Sequence, residues 1–160
     1  MTQTPIANAL SIAGSDPSGG AGIQADLKSF SANHVFGMAV ITALTAQNTR
    51  GVTDIHFPPV DFIKAQINAI FEDIRVDAVK IGMVANAGIA KAVKDALVDQ
   101  HGHHVVLDPV MVAKGGAPLL DPDAVEAVRC DLLPLASVVT PNLPEAGVLL
   151  GLTAAKTRAE

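Results

Sequence analysis

The residues most able to do chemistry are concentrated in Ala13-Gly14-Ser15-Asp16-Pro17-Ser18-Gly19-Gly20-Ala21-Gly22. This run follows an apolar stretch containing Leu10 and Ile12 and leads into a helical pattern. Its glycines would let bare backbone N–H groups converge on a ligand at a helix N-terminus. Asp16 narrows the choice of ligand. A carboxylate repels phosphate but accepts a hydrogen bond from a substrate hydroxyl or joins a magnesium network, so the loop points to a neutral, hydroxyl-bearing molecule. Neither GxxxxGK[ST] nor GxGxxG occurs here. The alternative is a tight strand-to-helix connection with Ser18 as cap and no ligand.

Further polar groups stand directly after apolar runs: Gln47-Asn48, Gly82-Met83, Asp108-Pro109 and Thr140-Pro141-Asn142. In an open parallel sheet the ligand crevice lies beyond the carboxyl ends of the strands, so these groups and Ser15-Asp16 share one edge and form a site. Gln47 offers an amide donor and a carbonyl acceptor, which lets one side chain read an amidine-like edge such as an aminopyrimidine; the alternative is a strand-end glutamine bonded to loop backbone. Asp108, Thr140, Asn142 and Glu145 are hard oxygen donors of the kind Mg²⁺ takes, directly or through its waters. Glu145 also stands three residues after Asn142, the spacing of a capping box, and the two roles can coexist.

Other reactive residue types fit no site. His101, His103 and His104 surround Gly102 at a helix-to-strand turn on the opposite edge, without Cys or an acidic cluster beside them, and read as a solvated turn rather than a zinc site. His34 and His56 are isolated and receive no role. Cys130 has no second thiol and reads as a core or surface thiol rather than a nucleophile. A Ser-His-Asp hydrolase lacks its GxSxG elbow.

The elements that must position these groups alternate along the chain. Leu10 to Ala13 reads as a buried strand and Ala21 to Asn33 as a helix, with Ile23, Leu27 and Phe30 at helical spacing. Gly37 to Ala46 is apolar on both faces, as in a central parallel strand, and ends at Gln47. Val52 to Phe57 alternates, and Asp61 to Asp73 is an amphipathic helix. Ala78 to Val84 is a strand, Asn86 caps a helix with the stripe Ile89, Val93, Ala96 and Leu97, and Gly102 ends that helix. Val105 to Leu107 is a strand stopped at Asp108-Pro109, Lys114-Gly115-Gly116 is a mobile loop, and Asp121-Pro122 starts a helix with Val125 and Val128 inward. Ser137 to Thr140 is the last strand, and Asn142 opens a helix carrying Val148, Leu149 and Leu152. This order, β-α-β-β-α-β-α-β-α-β-α, implies an α/β fold: a mainly parallel sheet with helices on both faces.

Composition bounds the function. The 160 residues are 49% apolar and 17% charged with a net charge of -5, which describes one globular domain without a basic surface for nucleic acid or anionic membranes. The start, Met1-Thr2-Gln3-Thr4-Pro5, has no cationic segment or apolar h-region, so a cytoplasmic location is expected.

At Ile12–Lys28, Ile41–Gly51, Lys80–Met83, Val106–Met111 and Thr140–Ala146 the sequence resembles, in order, the hydroxymethylpyrimidine and phosphomethylpyrimidine kinases of thiamine biosynthesis. These kinases belong to the ribokinase-like superfamily. The resemblance implies a three-layer α-β-α sandwich. It also implies transfer of the ATP γ-phosphoryl group to the hydroxymethyl oxygen of an aminopyrimidine, then a second transfer to the monophosphate, with Mg²⁺ and ATP required and a homodimer at full length. Carried over by position, Gln47 would bond the pyrimidine, Asp26 with Ala21 and Gly22 would face its hydroxymethyl group, and Met83 and Val110 would wall the ring. Asp108, Thr140, Asn142 and Glu145 would organise the nucleotide phosphates, with Mg²⁺ held through Asp108 and Glu145. Pyridoxal kinases share part of the pattern, and a non-catalytic small-molecule binding remnant is the other alternative. The family's second glycine-rich loop, Gly-Thr-Gly-Cys or Gly-Thr-Gly-Asp, which forms the anion hole and activates the hydroxyl, is absent. The expected base and anion hole therefore lie beyond Glu160, and the chain is expected to be the N-terminal part of the enzyme, inactive alone.

Overall fold

The computed structural model describes residues 5–98, 100, 104–111, 120 and 122–152. Its elements are β1 (Asn8–Gly14), α1 (Gly22–Ala32), β2 (Phe36–Asn48), β3 (Gly51–His56), α2 (Val60–Phe71), β4 (Ala78–Ile81), α3 (Ala87–Val98), β5 (His104–Leu107), α4 (Pro122–Ala127), β6 (Val138–Val139) and α5 (Leu143–Leu150). They form one six-stranded sheet in the order β3-β2-β1-β4-β5-β6. All pairings are parallel except the β2–β3 hairpin. The element order is the alternation the sequence predicts.

The chain begins in the middle of the sheet, moves outward through α1 to β2, then returns past β1 to build β4, β5 and β6 on the other side. Right-handed crossovers running in opposite directions place α1 on one face and α2, α3 and α4 on the other. Side-chain parity agrees. Met38 and Val40 of β2 join the core with Ile63 and Ile67 of α2 and Ile89 and Val93 of α3. Gly37, one residue out of phase, lies under α1, where a Cβ would come 2.9 Å from Leu27 and 3.1 Å from Phe30. The same alternation in β1 and β4 sends Leu10, Ile12, Val79 and Ile81 into the main core and leaves Ser11 and Lys80 on the α1 face.

Several local expectations change. β2 runs to Asn48 rather than ending before Gln47, because the hairpin extends the ladder and pairs Gln47 with Val52 and Asn48 with Gly51. β4 stops at Ile81 rather than Val84. Asn86 does cap α3, accepting the Ile89 N–H at 2.9 Å. After α4 the backbone widens into a π-helical turn at Val128–Leu132, which buries Val128 and Leu132, while Val125 is half-buried. Of Val148, Leu149 and Leu152 only Leu149 is buried; Val148 and Leu152 are 41% and 66% exposed. The helix is turned so that Glu145 and Leu149, four residues apart, share its inner face, and the left-handed Gly151 (φ 67°) throws Leu152 out of helical phase. His101, Gly102, His103, Lys114-Gly115-Gly116 and Asp121 lie outside the described residues. Among the described residues no helix is long and apolar enough to cross a membrane.

Ile67 is fully buried between α2 and the sheet, whereas Phe62 on the same helix is 60% exposed. Truncating Ile67 to alanine should cost about 2–5 kcal/mol in urea unfolding, and Phe62→Ala less than about 1 kcal/mol. Equal costs would place the core on the wrong face of α2.

Candidate functional site

A cavity of about 930 Å³ opens at the carboxyl edge of the sheet, where β1 and β4 are neighbours and the winding direction reverses. Its floor comes from the β1–α1 loop and the first turns of α1, including Ala21, Gly22 and Asp26. The β2–β3 hairpin forms one wall with Gln47, and Lys80, Met83, Asp108 and Val110 close the other side. The structure therefore brings Gln47, Asp26, Ala21, Gly22, Met83, Val110 and Asp108 together around one space. Thr140, Asn142 and Glu145 do not line it, although Thr140 shares the edge: its N–H donates to the Leu107 carbonyl, beside Asp108, at 3.0 Å.

The loop beneath the cavity is built around Asp16. This carboxylate is 3% exposed and accepts from the Ser18 N–H (2.8 Å), the Ser18 hydroxyl (2.7 Å), the Gly20 N–H (3.1 Å) and the Ala21 N–H (2.9 Å). Burial pushes the Asp16 carboxyl up, but these bonds together outweigh it and hold the group below its ordinary value. The amides expected to converge on a ligand converge on the chain's own anion instead. Ser18 is not the helix cap: the N-cap is Ala21, with no side-chain bond. Gly22, at φ 57°, lies so close to β1 that a Cβ would stand 2.2 Å from the Gly14 carbonyl oxygen. A Cβ on Gly14 would in turn meet the Met83 methyl at 2.7 Å.

Gln47 is half-buried. The Thr45 hydroxyl lies 2.8 Å from the Ser15 carbonyl and 3.2 Å from the Gln47 side-chain amide. One hydroxyl has one proton, and the shorter contact takes it. Gln47 Oε1 is thus the secondary acceptor of that hydroxyl.

Between floor and wall runs a chain of polar groups. The buried Ser11 hydroxyl donates to Asp26 Oδ2 at 2.6 Å, Lys80 Nζ lies 3.1 Å from the same oxygen, and Asp108 Oδ2 is 3.3 Å from Lys80 Nζ. The sequence reading assigned no role to Ser11 or Lys80. A signal was available: each is a polar residue inside a short apolar strand, and strand parity puts both on the face that α1 covers.

Asn142 and Glu145 form the capping box. Glu145 N–H donates to Asn142 Oδ1 and Asn142 N–H to Glu145 Oε2, both at 2.9 Å. Glu145 is buried while Asn142 and Thr140 are exposed. Cys130 is exposed, and its hydrogen bond to Glu126, with burial and the Glu126 charge, pushes the thiol up, away from nucleophilic activation. His104 opens β5 at the opposite edge. Among the described residues no cluster of three His, Cys, Asp or Glu side chains could hold a metal.

A doubly wound parallel sheet with a polar crevice at its switch point and a hairpin standing over it defines a ribokinase-like α/β domain. Comparison with known proteins agrees. A solved phosphomethylpyrimidine kinase from Clostridium difficile superposes with a TM-score of 0.87 at 50% identity, covering 92% of this chain and 64% of that one. The ADP complex of a Bacillus subtilis pyridoxal kinase superposes with a TM-score of 0.87 at 41% identity over 97% of this chain and 59% of its own. A hydroxymethylpyrimidine/phosphomethylpyrimidine kinase from Salmonella typhimurium is 55% identical over 153 residues, which are 96% of this chain and 58% of that protein. The phosphomethylpyrimidine kinase family matches residues 16–160, and the chain belongs to that family.

Replacing Asp16 by asparagine removes the charge and half of the acceptor capacity on which the loop closes, and should cost on the order of 2 kcal/mol. The folded carboxyl lies below its unfolded value. Its stabilising contribution is therefore complete above the unfolded value of about 3.9 and is lost as pH falls through the folded one. The gap between the urea midpoints of wild type and Asp16→Asn should hold steady above about pH 5 and narrow as pH falls below about 4; a gap that does not narrow at any acid pH at which the chain still folds would show that the charge contributes nothing.

Proposed function

We propose that this chain supplies the acceptor-binding part of an ATP-dependent kinase for 4-amino-5-hydroxymethyl-2-methylpyrimidine and its monophosphate. One observation carries the reading: Gln47, Asp26, Ala21, Gly22, Met83 and Val110 line a single cavity at the switch point. In it Gln47 pairs with the aminopyrimidine edge, and Met83 and Val110 sandwich the ring. Asp26 accepts the hydrogen bond of the hydroxymethyl group and orients its oxygen toward the nucleotide. Phosphoryl transfer depends on aligning nucleophile and leaving group and neutralising the equatorial oxygens, so most of what these residues do is positioning.

Asp108, Thr140, Asn142 and Glu145 serve the nucleotide side. The bonds described engage one oxygen of Asp108 and one of Glu145. That fits a magnesium ion taken by one or two carboxylates, its own waters and substrate phosphates rather than by a closed protein cage. Asp108 and Glu145 would hold the ion, and when bound it would neutralise charge on the phosphates. The chain spans about 58% of the length of its Salmonella relative. The proposed kinase activity is that of the whole protein.

Titration calorimetry on the chain separates the two sides. Gln47→Ala should weaken the pyrimidine alcohol about 5- to 100-fold, because its ring edge loses a partner, while leaving Mg·ATP binding unchanged. Glu145→Gln should do the reverse, raising the magnesium needed for ATP binding while the fold is kept, since glutamine still caps α5 without offering a full charge. Tighter binding of pyridoxal than of the pyrimidine would overturn the substrate assignment, and equal losses of both ligands in either variant would make that residue structural.

A further inference from the structure

We infer that Lys80 is a positioning residue that acts through Asp26 to set the acceptor alcohol and, through the same ammonium, ties that side of the cavity to Asp108. The inference rests on the functional reading above. Lys80 sits on β4, midway between the two carboxylates: Asp26 comes from α1 and Asp108 from the segment after β5. Its Nζ reaches Asp26 Oδ2 at 3.1 Å and Asp108 Oδ2 at 3.3 Å. The side chain is only 20% exposed and that of Asp26 16%, so neither is a freely solvated surface charge.

The surroundings are shaped to this contact. Gly82, two residues on, has no Cβ where one would stand 3.0 Å from Lys80 Nζ. Ser11, buried in β1, donates its only hydroxyl proton to Asp26 Oδ2 at 2.6 Å. One oxygen of Asp26 is thus held from two sides, by a hydroxyl on β1 and an ammonium on β4, which fixes the carboxylate rotamer and leaves Oδ1 as its acceptor for a ligand. A compact ammonium with several donors can serve two carboxylates from different elements at once. Without it Asp26 and Asp108 would face each other as like charges, and a triphosphate arriving beside Asp108 would add to the repulsion. Lys80 therefore sets where Asp26 can stand and lets acceptor and nucleotide sides coexist.

The test is a double-mutant cycle on the chain, titrated calorimetrically with 4-amino-5-hydroxymethyl-2-methylpyrimidine. Lys80→Met should weaken binding about tenfold. Asp26→Asn should weaken it at least as much, and the double variant no more than Asp26→Asn alone, because the lysine acts through that carboxylate. Losses that multiply, as a merely structural lysine would give, or no loss in Lys80→Met, would overturn the inference. If Lys80→Met fails to fold in a thermal melt, Lys80→Gln, which keeps a donor without the charge, takes its place in the cycle with the same outcomes. Gln47→Ala is the control for the underlying reading. Wild-type binding that Gln47→Ala weakens, combined with multiplying Lys80 and Asp26 losses, rejects the role of Lys80 alone; absence of wild-type binding rejects both.

Discussion

The structure depends on one topological constraint: parallel strands joined by right-handed crossovers cannot reverse their winding direction without opening a gap. Here the reversal falls between β1 and β4. The helix following β1 goes to one face and those following β4 and β5 to the other, so the loops above these strands part. The cavity is that gap. Lys80, Met83 and Asp108 stand at or just beyond the carboxyl ends of β4 and β5, and Asp26 stands on the first turns of α1, so the four meet there although they are far apart in sequence.

A gap at the end of a sheet would fill with its own loop unless the loop were stiffened. Asp16 does this by acting as an internal anion: three backbone amides and a hydroxyl turn inward to it. Gly22 lets the first turn of α1 lie against the β1 carbonyl that any side chain would strike. The loop is thereby closed on itself before any ligand arrives. It forms a fixed floor on which Ala21 and Gly22 are presented, and in the proposed function Gln47 and Asp26 read the ligand. The β2–β3 hairpin, whose outer strand is largely exposed, extends Gln47 over that floor on a ladder rather than on a loose turn.

The sequence was informative where a local rule decides the outcome. Apolar runs and hydrophobic periodicity point to the six strands and five α-helices in order but not to the π-helical turn at Val128–Leu132, Asn86 and Asn142 announce their helix starts, and the edge that gathers strand-end polar residues is readable from chain order alone. It was silent wherever a polar group's partner is chosen by the tertiary fold. Asp16 is visibly an acid in a glycine-rich loop, but nothing in its neighbours says that the loop itself saturates it. Lys80 looks like one cation in a strand until parity and topology place it between two carboxylates from elsewhere in the chain. Leu152 matches a helical stripe on paper, yet Gly151 ends the helix before the stripe reaches it. Gln47 lines the cavity from the edge its chain position points to, but its place inside a lengthened strand depends on a hairpin register that no single stretch encodes.

The central claim is that the crevice between β1 and β4 receives the pyrimidine alcohol. Amide chemical-shift mapping on the isotope-labelled chain during titration with 4-amino-5-hydroxymethyl-2-methylpyrimidine tests it directly. Saturable shifts should concentrate at Ala21, Gly22, Gln47, Met83 and Val110, with Asn142 and Glu145 responding only when Mg·ATP is added. Shifts confined to the opposite edge around His104, or none at saturating pyrimidine, would contradict it.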